Sequence, residues 1–454
     1  MSTAILQPLV AGETVACDET AELPGLDGSP VARVGISPTL LLRLALRRTR
    51  GAAVPAEVFG RAGTFFAQAE LGGDSAEVHR RRVVAVTGLP DRVVADGLRS
   101  VRDGLARLAE STERQLPAPT DDVRWVPRGR TLGVVTPSNH VDPHLTWARA
   151  LSVGYGVIVR PGTRDPFTPF RLAAALLSAG LPPQCLAVLP GGHDLGERLL
   201  GETDLGIVYG GPAAVSRWAE NPGVLTRGPG RSAALLDRPL TPEIVEALAR
   251  SVAADAGVRC ANTSVIRTSG DPAEVADALA ARLDTLPVRP AADPDAVLPC
   301  FSADQAAGLR RTVAELEQAG LRRHSAADGP VPLPDGTCAA RPVVLSTTDP
   351  AHPAVGTELP FPFVVVAPWS AADGLEPFGR TLVLSIHSED AGLPLAALAH
   401  PQIRRVVVGG AVPWTSGPHL PHDGSLTGFL LEPKALLFGE PLPGEPFSDK
   451  ESLR

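Results

Sequence analysis

Apolar positions along this chain change period from one region to the next. Over residues 90–116, Val93, Val94, Leu98, Val101, Leu105 and Leu108 recur every three or four positions, the spacing of one face of an amphipathic helix. Residues 1 to about 130 carry helical patterns of this kind, with a further apolar helix around 38–46. Pro117, Ala118 and Pro119 break the pattern, and continuous apolar runs replace it. Such runs predict buried strands over 131–135, 156–159, 186–189, 205–209 and 232–236, with helices over 166–179 and 213–219 between them. The alternation resumes with helices over 242–255 and 272–283 and strands over 363–367, 381–385 and 405–408. Strands separated by helices indicate parallel, doubly wound sheets, so the expected fold class is α/β. The Pro-, Gly- and Asp-rich stretch 325–335 reads as a surface loop, and 441–454 as a frayed tail.

A chain of 454 residues is long enough for two or three domains. Its net charge of -8 and lack of a basic stripe argue against a nucleic-acid partner and for a small-molecule substrate. No run approaches eighteen apolar residues and no basic leader precedes an apolar core, so a soluble, cytoplasmic protein without a membrane span is expected. Five widely spaced cysteines, none in a C-x-x-C pair, exclude a disulfide framework, and no metal-ligand spacing is present.

Four segments carry candidate chemistry. In Gly257-Val258-Arg259-Cys260-Ala261-Asn262-Thr263 a cysteine follows a helix end among small residues, and it reads equally as a nucleophilic thiol or as a small buried side chain. Thr136-Pro137-Ser138-Asn139 follows a strand, where the Asn139 amide could donate to an oxyanion or simply build an Asx-turn. Arg160-Pro161-Gly162-Thr163-Arg164, after the next strand, offers two guanidinium groups to anionic oxygens or to solvent. Tyr209-Gly210-Gly211-Pro212 places two glycines where backbone could approach a pyrophosphate. His140, His144, His419 and His422 are candidate proton carriers, each also readable as an ordinary loop histidine, and Cys300 is a competing thiol that reads better as packed.

In this order the four segments resemble the aldehyde dehydrogenase superfamily over roughly residues 90–430. The resemblance implies two doubly wound α/β domains with a small oligomerisation element: an N-terminal helical and Rossmann-like cofactor domain over 1–231, a catalytic domain over 232–415, and a closing segment over 416–454. It makes Cys260 the nucleophile and Asn139 part of the oxyanion hole. Arg160 and Gly162, with Thr163 and Arg164, match the family's Lys-Pro-Ser segment at the adenosine ribose, and Thr136 and Pro137 belong to the same crevice. Gly210 and Gly211 match the phosphate-binding Gly-Ser. Glu358, in Thr357-Glu358-Leu359-Pro360-Phe361-Pro362, matches the Glu-x-Phe-Gly-Pro glutamate that holds the nicotinamide ribose. Leu420-Pro421-His422-Asp423-Gly424 is similar to a degenerate Leu-Pro-Phe-Gly-Gly.

One departure redirects the reading. Hydrolytic members carry Glu-Leu-Gly-Gly-Lys, whose Glu activates water, whereas this chain has Arg227-Gly228-Pro229-Gly230-Arg231-Ser232, with Gly230 in the cofactor-side loop. An arginine cannot abstract a proton near neutral pH. The Gly-Pro-Gly sequence, together with Val86-Thr87-Gly88-Leu89-Pro90, resembles the acylating branch and the bioluminescence-type fatty acyl-CoA reductases. The expected activity is therefore NADPH-dependent reduction of an acyl-CoA or carrier-protein-bound acyl thioester to an aldehyde through a Cys260 acyl-enzyme. Thr163-Arg164 in place of an acidic residue favours NADP over NAD. An acyl-activating ligase is a conceivable partner, a homodimer or homotetramer is implied, and residues 38–46 and 427–437 are candidates for shaping an acyl tunnel or an interface. Two other readings stay open: oxidation of an aldehyde to an acid with NAD(P), and a non-redox acyl-holding scaffold.

Overall fold

The computed structural model describes residues 3–437 apart from 119, 121 and 416–419. His419, the expected tail over 441–454 and part of the closing segment lie outside the described residues. Two seven-stranded sheets dominate. The first runs Val224–Arg227, Leu205–Tyr209, Thr131–Val135, Gly156–Arg160, Leu186–Val188, Leu9–Val10, Glu13–Thr14, and its first five strands are parallel. Every residue of Gly156–Arg160 is buried. The pleat explains why: Val157 and Val159 pack with Trp147, Leu172 and Leu176 on one face, and Ile158 packs with Leu41, Leu42 and Leu199 on the other. Covered on both faces, these strands read as unbroken apolar runs.

The second sheet runs Arg322–Arg323, Val343–Ser346, Phe363–Pro368, Val265–Thr268, Ala233–Asp237, Leu384–Ser388, Val406–Val408. All its pairings are parallel except that of Arg322–Arg323 with Val343–Ser346. Helices start where side chains can take up the free first-turn N–H groups: Thr241 caps Pro242–Ala253, Asp271 caps Pro272–Leu283, and Ser302 with Gln305 forms a capping box on Ala303–Gln318. The expected α/β, doubly wound architecture is the one observed.

Four local expectations need correction. The chain opens with five short strands between Ala4 and Gly35 rather than with helices, and Leu9–Val10 extends the edge of the first sheet by pairing antiparallel with Leu186–Val188. The helix expected over 90–116 is two, Asp91–Ala106 and Leu108–Glu113, broken at Arg107. The stretch 325–335 contains the strand Pro330–Pro332, paired with Cys338–Ala340, and Ser325 is buried. The strand expected over 381–385 is Leu384–Ser388, because Thr381 is held in an isolated bridge to Ile403. No helix among the described residues is long and apolar enough to cross a membrane.

Buried histidines make stability pH-dependent. His79 and His144 are almost fully enclosed, and burial holds His79 well below its ordinary pKa and His144 at about 3. As pH falls through about 6.5 the unfolded chain takes up protons that these two rings refuse, so each costs about 1.4 kcal/mol of stability per pH unit. Asp165, raised to about 6 by burial, contributes in the opposite sense below that pH. His140, His387 and His422, also lowered by burial, add to the loss, and the net expectation is that stability falls by on the order of 2 kcal/mol or more between pH 6.5 and 5. Urea midpoints at the two pH values measure it, and an unchanged midpoint would mean that the buried rings accept protons inside the fold.

Candidate active site

A single cavity of about 1290 Å³ takes its walls from both sheets. Residues 137–139, 210–211 and 228–230 follow strands of the first sheet, while residues 260–264, 358–361 and 404–405 precede strands of the second. The carboxyl ends of one parallel sheet thus face the amino ends of the other. Within the first sheet, Thr131–Val135 lies between Leu205–Tyr209 and Gly156–Arg160, the switch point from which the chain winds both ways. Open α/β sheets bind ligands in the crevice at such a point, and the loops after Thr131–Val135 and Leu205–Tyr209 both line the cavity here.

The loop carrying Cys260 is tightly specified. Asp255, Ala256 and Gly257 are three consecutive residues at positive φ (46°, 65° and 71°), and the two that are not glycine each cost about 1–2 kcal/mol. Gly257 is required for a second reason: a Cβ there would lie 2.4 Å from the Pro362 nitrogen. Arg259 offsets the strain through ion pairs with Asp255 and with Asp142 at 3.1 Å, and its backbone N–H donates to Asn262 Oδ1 at 2.7 Å. Asn262 in turn donates to the Ser251 and Ala254 carbonyls. Asn139 donates through Nδ2 to the Val258 carbonyl at 2.8 Å, which fixes it against this loop and leaves its second N–H for another acceptor. Gly230 closes the other side, where a Cβ would fall 1.9 Å from the Cys260 carbonyl oxygen.

The thiol is not activated at rest. Burial pushes Cys260 up to about 11, and the negative charge of Glu358 adds to this. Arg227 and Arg259 act in the opposite direction without prevailing. Cys260 is therefore a neutral thiol near pH 7 and needs a proton acceptor. Its Sγ lies 3.4 Å from His422 Nε2. The loop bearing His422 is clamped on both sides: Arg405 donates to the Pro421 carbonyl at 3.1 Å, and Arg227 donates to the Asp423 carbonyl at 2.5 Å and sits 3.6 Å from its carboxylate. His422 faces the open space of the cavity, and desolvation by the cleft walls, followed by Arg227 and Arg405, lowers its pKa.

The other histidines are placed elsewhere. His144 is wholly buried and accepts the Trp147 indole N–H at 3.0 Å. His140 accepts the Asp142 N–H and lies 3.8 Å from Asp255, so it supports the Cys260 loop without reaching the thiol. Cys300 is buried, bonded to the Arg289 carbonyl, and is not a cavity-lining residue.

The expected cofactor residues divide into two groups. Pro137, Gly210, Gly211, Gly230 and Glu358 line the cavity with Asn139 and Cys260; Thr136, Arg160, Gly162, Thr163 and Arg164 do not. Thr136 is buried, and its hydroxyl accepts the Gly162 N–H at 3.1 Å, tying two strand-end loops together. Arg160 is also buried and donates to the Gly191 carbonyl at 3.0 Å. Its guanidinium is thus turned into the protein, contrary to the ligand-facing orientation expected from the motif, because the strand that ends at Arg160 is covered on both faces. Thr163 and Arg164 are exposed at the loop, outside the main cavity. Glu358 accepts the Arg231 backbone N–H, and burial raises its pKa. Arg259, Tyr209 and Asp423 lie within segments quoted from the sequence but had no role assigned there, and Asp142 was not named. Tyr209 meets Thr146 at 2.6 Å.

The fold and site define a class: an α/β enzyme in which a cysteine on the second sheet faces a dinucleotide-type crevice on the first. Residues 92–375 match the aldehyde dehydrogenase family, and the chain belongs to it. It is an oxidoreductase of the kind that acts on aldehydes. Solved structures agree on the fold. The aldehyde dehydrogenase of Bacillus cereus is similar at TM-score 0.79 with 15% identity, over 95% of this chain and 96% of that one. PnpE from Pseudomonas sp. WBC-3 is similar at 0.81 with 15% identity, over 95% and 97%. A 3,6-anhydro-L-galactose dehydrogenase complexed with NAP is similar at 0.77 with 16% identity, over 95% and 99%. No curated protein matches the chain in sequence.

Proposed function

We propose that the protein reduces an acyl thioester to an aldehyde with NADPH, through an acyl-enzyme on Cys260. The supporting observation is that Arg227 takes the place of the water-activating glutamate, while each cavity-lining carboxylate among the described residues is already engaged. The cavity-lining carboxylates among the described residues are Asp142, Glu358 and Asp423. Asp142 is paired with Arg259, Glu358 with the Arg231 N–H, and Asp423 with Arg227 and Arg404. Where hydrolytic relatives keep a water-activating glutamate stands Arg227, only 7% exposed. Without that base an acyl-enzyme resists water long enough to be reduced.

The residues present fit a dinucleotide. Gly210 and Gly211 leave the strand end Leu205–Tyr209 without side chains, and a Cβ on Gly211 would meet only open space. Pro137, Gly210, Gly211 and Glu358 would hold the cofactor, whose reduced nicotinamide supplies hydride. Asn139 and the Cys260 N–H stabilise the oxyanion formed when the thiol adds to the acyl carbon. The bound thiol carrier is either coenzyme A or a carrier protein.

A second reading rests on His422: an imidazole 3.4 Å from the thiol could instead activate water, giving NAD(P)-dependent oxidation of aldehyde to acid. Product analysis separates the two. Purified protein with a panel of acyl-CoA thioesters and NADPH is expected to release aldehyde and free thiol in equal amounts. Acid formed steadily from aldehyde and NAD(P), with no thiol requirement, would replace the first reading with the second. The same assay is expected to favour NADPH over NADH on account of the exposed, cationic Thr163-Arg164 loop; a clear NADH preference would overturn that assignment.

A further inference from the structure

We infer that His422 is the proton acceptor and donor for the Cys260 sulfur, and that the arginine standing in the place of the hydrolytic base serves to hold it there. The inference rests on the thioester-reductase reading for its substrate, but the proton relay itself is a property of the resting protein.

Three observations converge on it. The Cys260 Sγ and His422 Nε2 are 3.4 Å apart, close enough for direct transfer. His422 sits between two anchored residues: the Pro421 carbonyl is held by Arg405, while the Asp423 carbonyl and carboxylate are held by Arg227. Arg405 is itself fixed by the Pro413 and Thr415 carbonyls, so the imidazole is carried on a braced loop. Finally, the thiol is neutral at rest. The charged groups acting on the pair are Arg227 from the first sheet, Arg259 and Glu358 from the loops before the second, and Arg405 and Asp423 at its far end. Desolvation in the cleft, with Arg227, Arg405 and Arg259 adding to it, keeps the imidazole uncharged, which is the state that can accept a proton.

The steps balance. As Sγ bonds to the acyl carbon, its proton passes to His422 and the carbonyl electron pair moves onto oxygen. When the carbonyl re-forms, the bond to the departing thiol breaks and His422 returns the proton to that sulfur, leaving a neutral acyl-enzyme. A bound reduced nicotinamide would supply hydride to the acyl carbon, which would leave a thiohemiacetal alkoxide on Cys260. Its collapse would release aldehyde and the Cys260 thiolate, to which His422 would return a proton from solvent. The sum is one thioester, one hydride and one proton giving one aldehyde and one free thiol.

The test reads the thiol directly. Iodoacetamide alkylation of the Cys260 peptide, followed by mass spectrometry from pH 6 to 10.5, needs neither substrate nor cofactor. An unassisted thiol of high pKa speeds up tenfold per pH unit across this range, whereas proton transfer to His422 during attack adds a pH-independent contribution that is expected to make the wild-type rise shallower than tenfold per unit near neutrality. His422→Gln and His422→Asn are each expected to lower the rate at pH 7.5 on the order of tenfold or more and to converge with wild type at the alkaline end. A wild-type rate that rises tenfold per pH unit throughout, or equal rates in wild type and both variants at pH 7.5, overturns the relay. The wild-type profile decides even if neither variant folds. A His422-dependent rate in a protein that no acyl-CoA acylates leaves the relay standing and refutes the thioester reading instead.

Discussion

Replacing Cys260 by alanine is expected to lower NADPH-dependent thioester reduction by about 10⁴-fold or more while dinucleotide affinity stays near that of wild type. The asymmetry follows from where the side chain stands. Its sulfur is the group that forms the covalent bond, and the crevice at the strand ends is built from Pro137, Gly210 and Gly211, which do not depend on it. Intact-protein mass after mixing with acyl-CoA shows the adduct on wild type alone, and cofactor fluorescence titration gives the affinity. A Cys260→Ala protein that still produces aldehyde at a tenth of the wild-type rate would remove the acyl-enzyme from the mechanism.

Gly230→Ala is expected to be strongly damaging although it removes no functional group. The added methyl would stand 1.9 Å from the Cys260 carbonyl oxygen and 2.7 Å from its carbonyl carbon, both backbone atoms that cannot turn aside. The loop must shift, and a displacement of about 1 Å at a reacting group costs on the order of 100-fold in rate. Gly211→Ala is the control, since its methyl would meet open space. Single-turnover acylation should fall for the first variant and change far less for the second. Equal acylation rates in the two would show that the Cys260 loop yields without consequence.

How much of this could be read from the chain depended on how local each feature was. The strands of the two sheets were legible because burial on both faces writes a run such as Val157-Ile158-Val159 directly into the sequence. The opening strands were not. Thr20–Pro24 is largely exposed and Ala4–Leu6 spans three residues, so neither gives a usable alternation. The break at Arg107 left no mark either, because Leu105 and Leu108 keep helical spacing across it. In the site, Cys260, Asn139 and Glu358 stood out through short motifs, and Arg227 through a departure from one. What could not be read were the pairings made by folding. Cys260 and His422 are 162 residues apart, as are Arg227 and Asp423 by 196, and no spacing rule joins them. Arg160 shows the converse: its motif suggested a ligand contact, but a fully buried strand turned its guanidinium toward the Gly191 carbonyl.

The last described strand carries a consequence for how the enzyme is made. Leu431–Ala435 pairs with Val123–Pro127, and Arg128 reaches the Phe429 carbonyl across 301 residues of chain. At about 5–20 residues per second, a ribosome takes roughly 15–60 seconds to supply that partner. Through this interval the nascent protein holds an unpaired strand edge, the hydrogen-bonding template on which aggregation starts. It also carries its cysteine before its imidazole, since His422 emerges in the same late stretch. The imidazole and the partner that closes the sheet edge therefore arrive together.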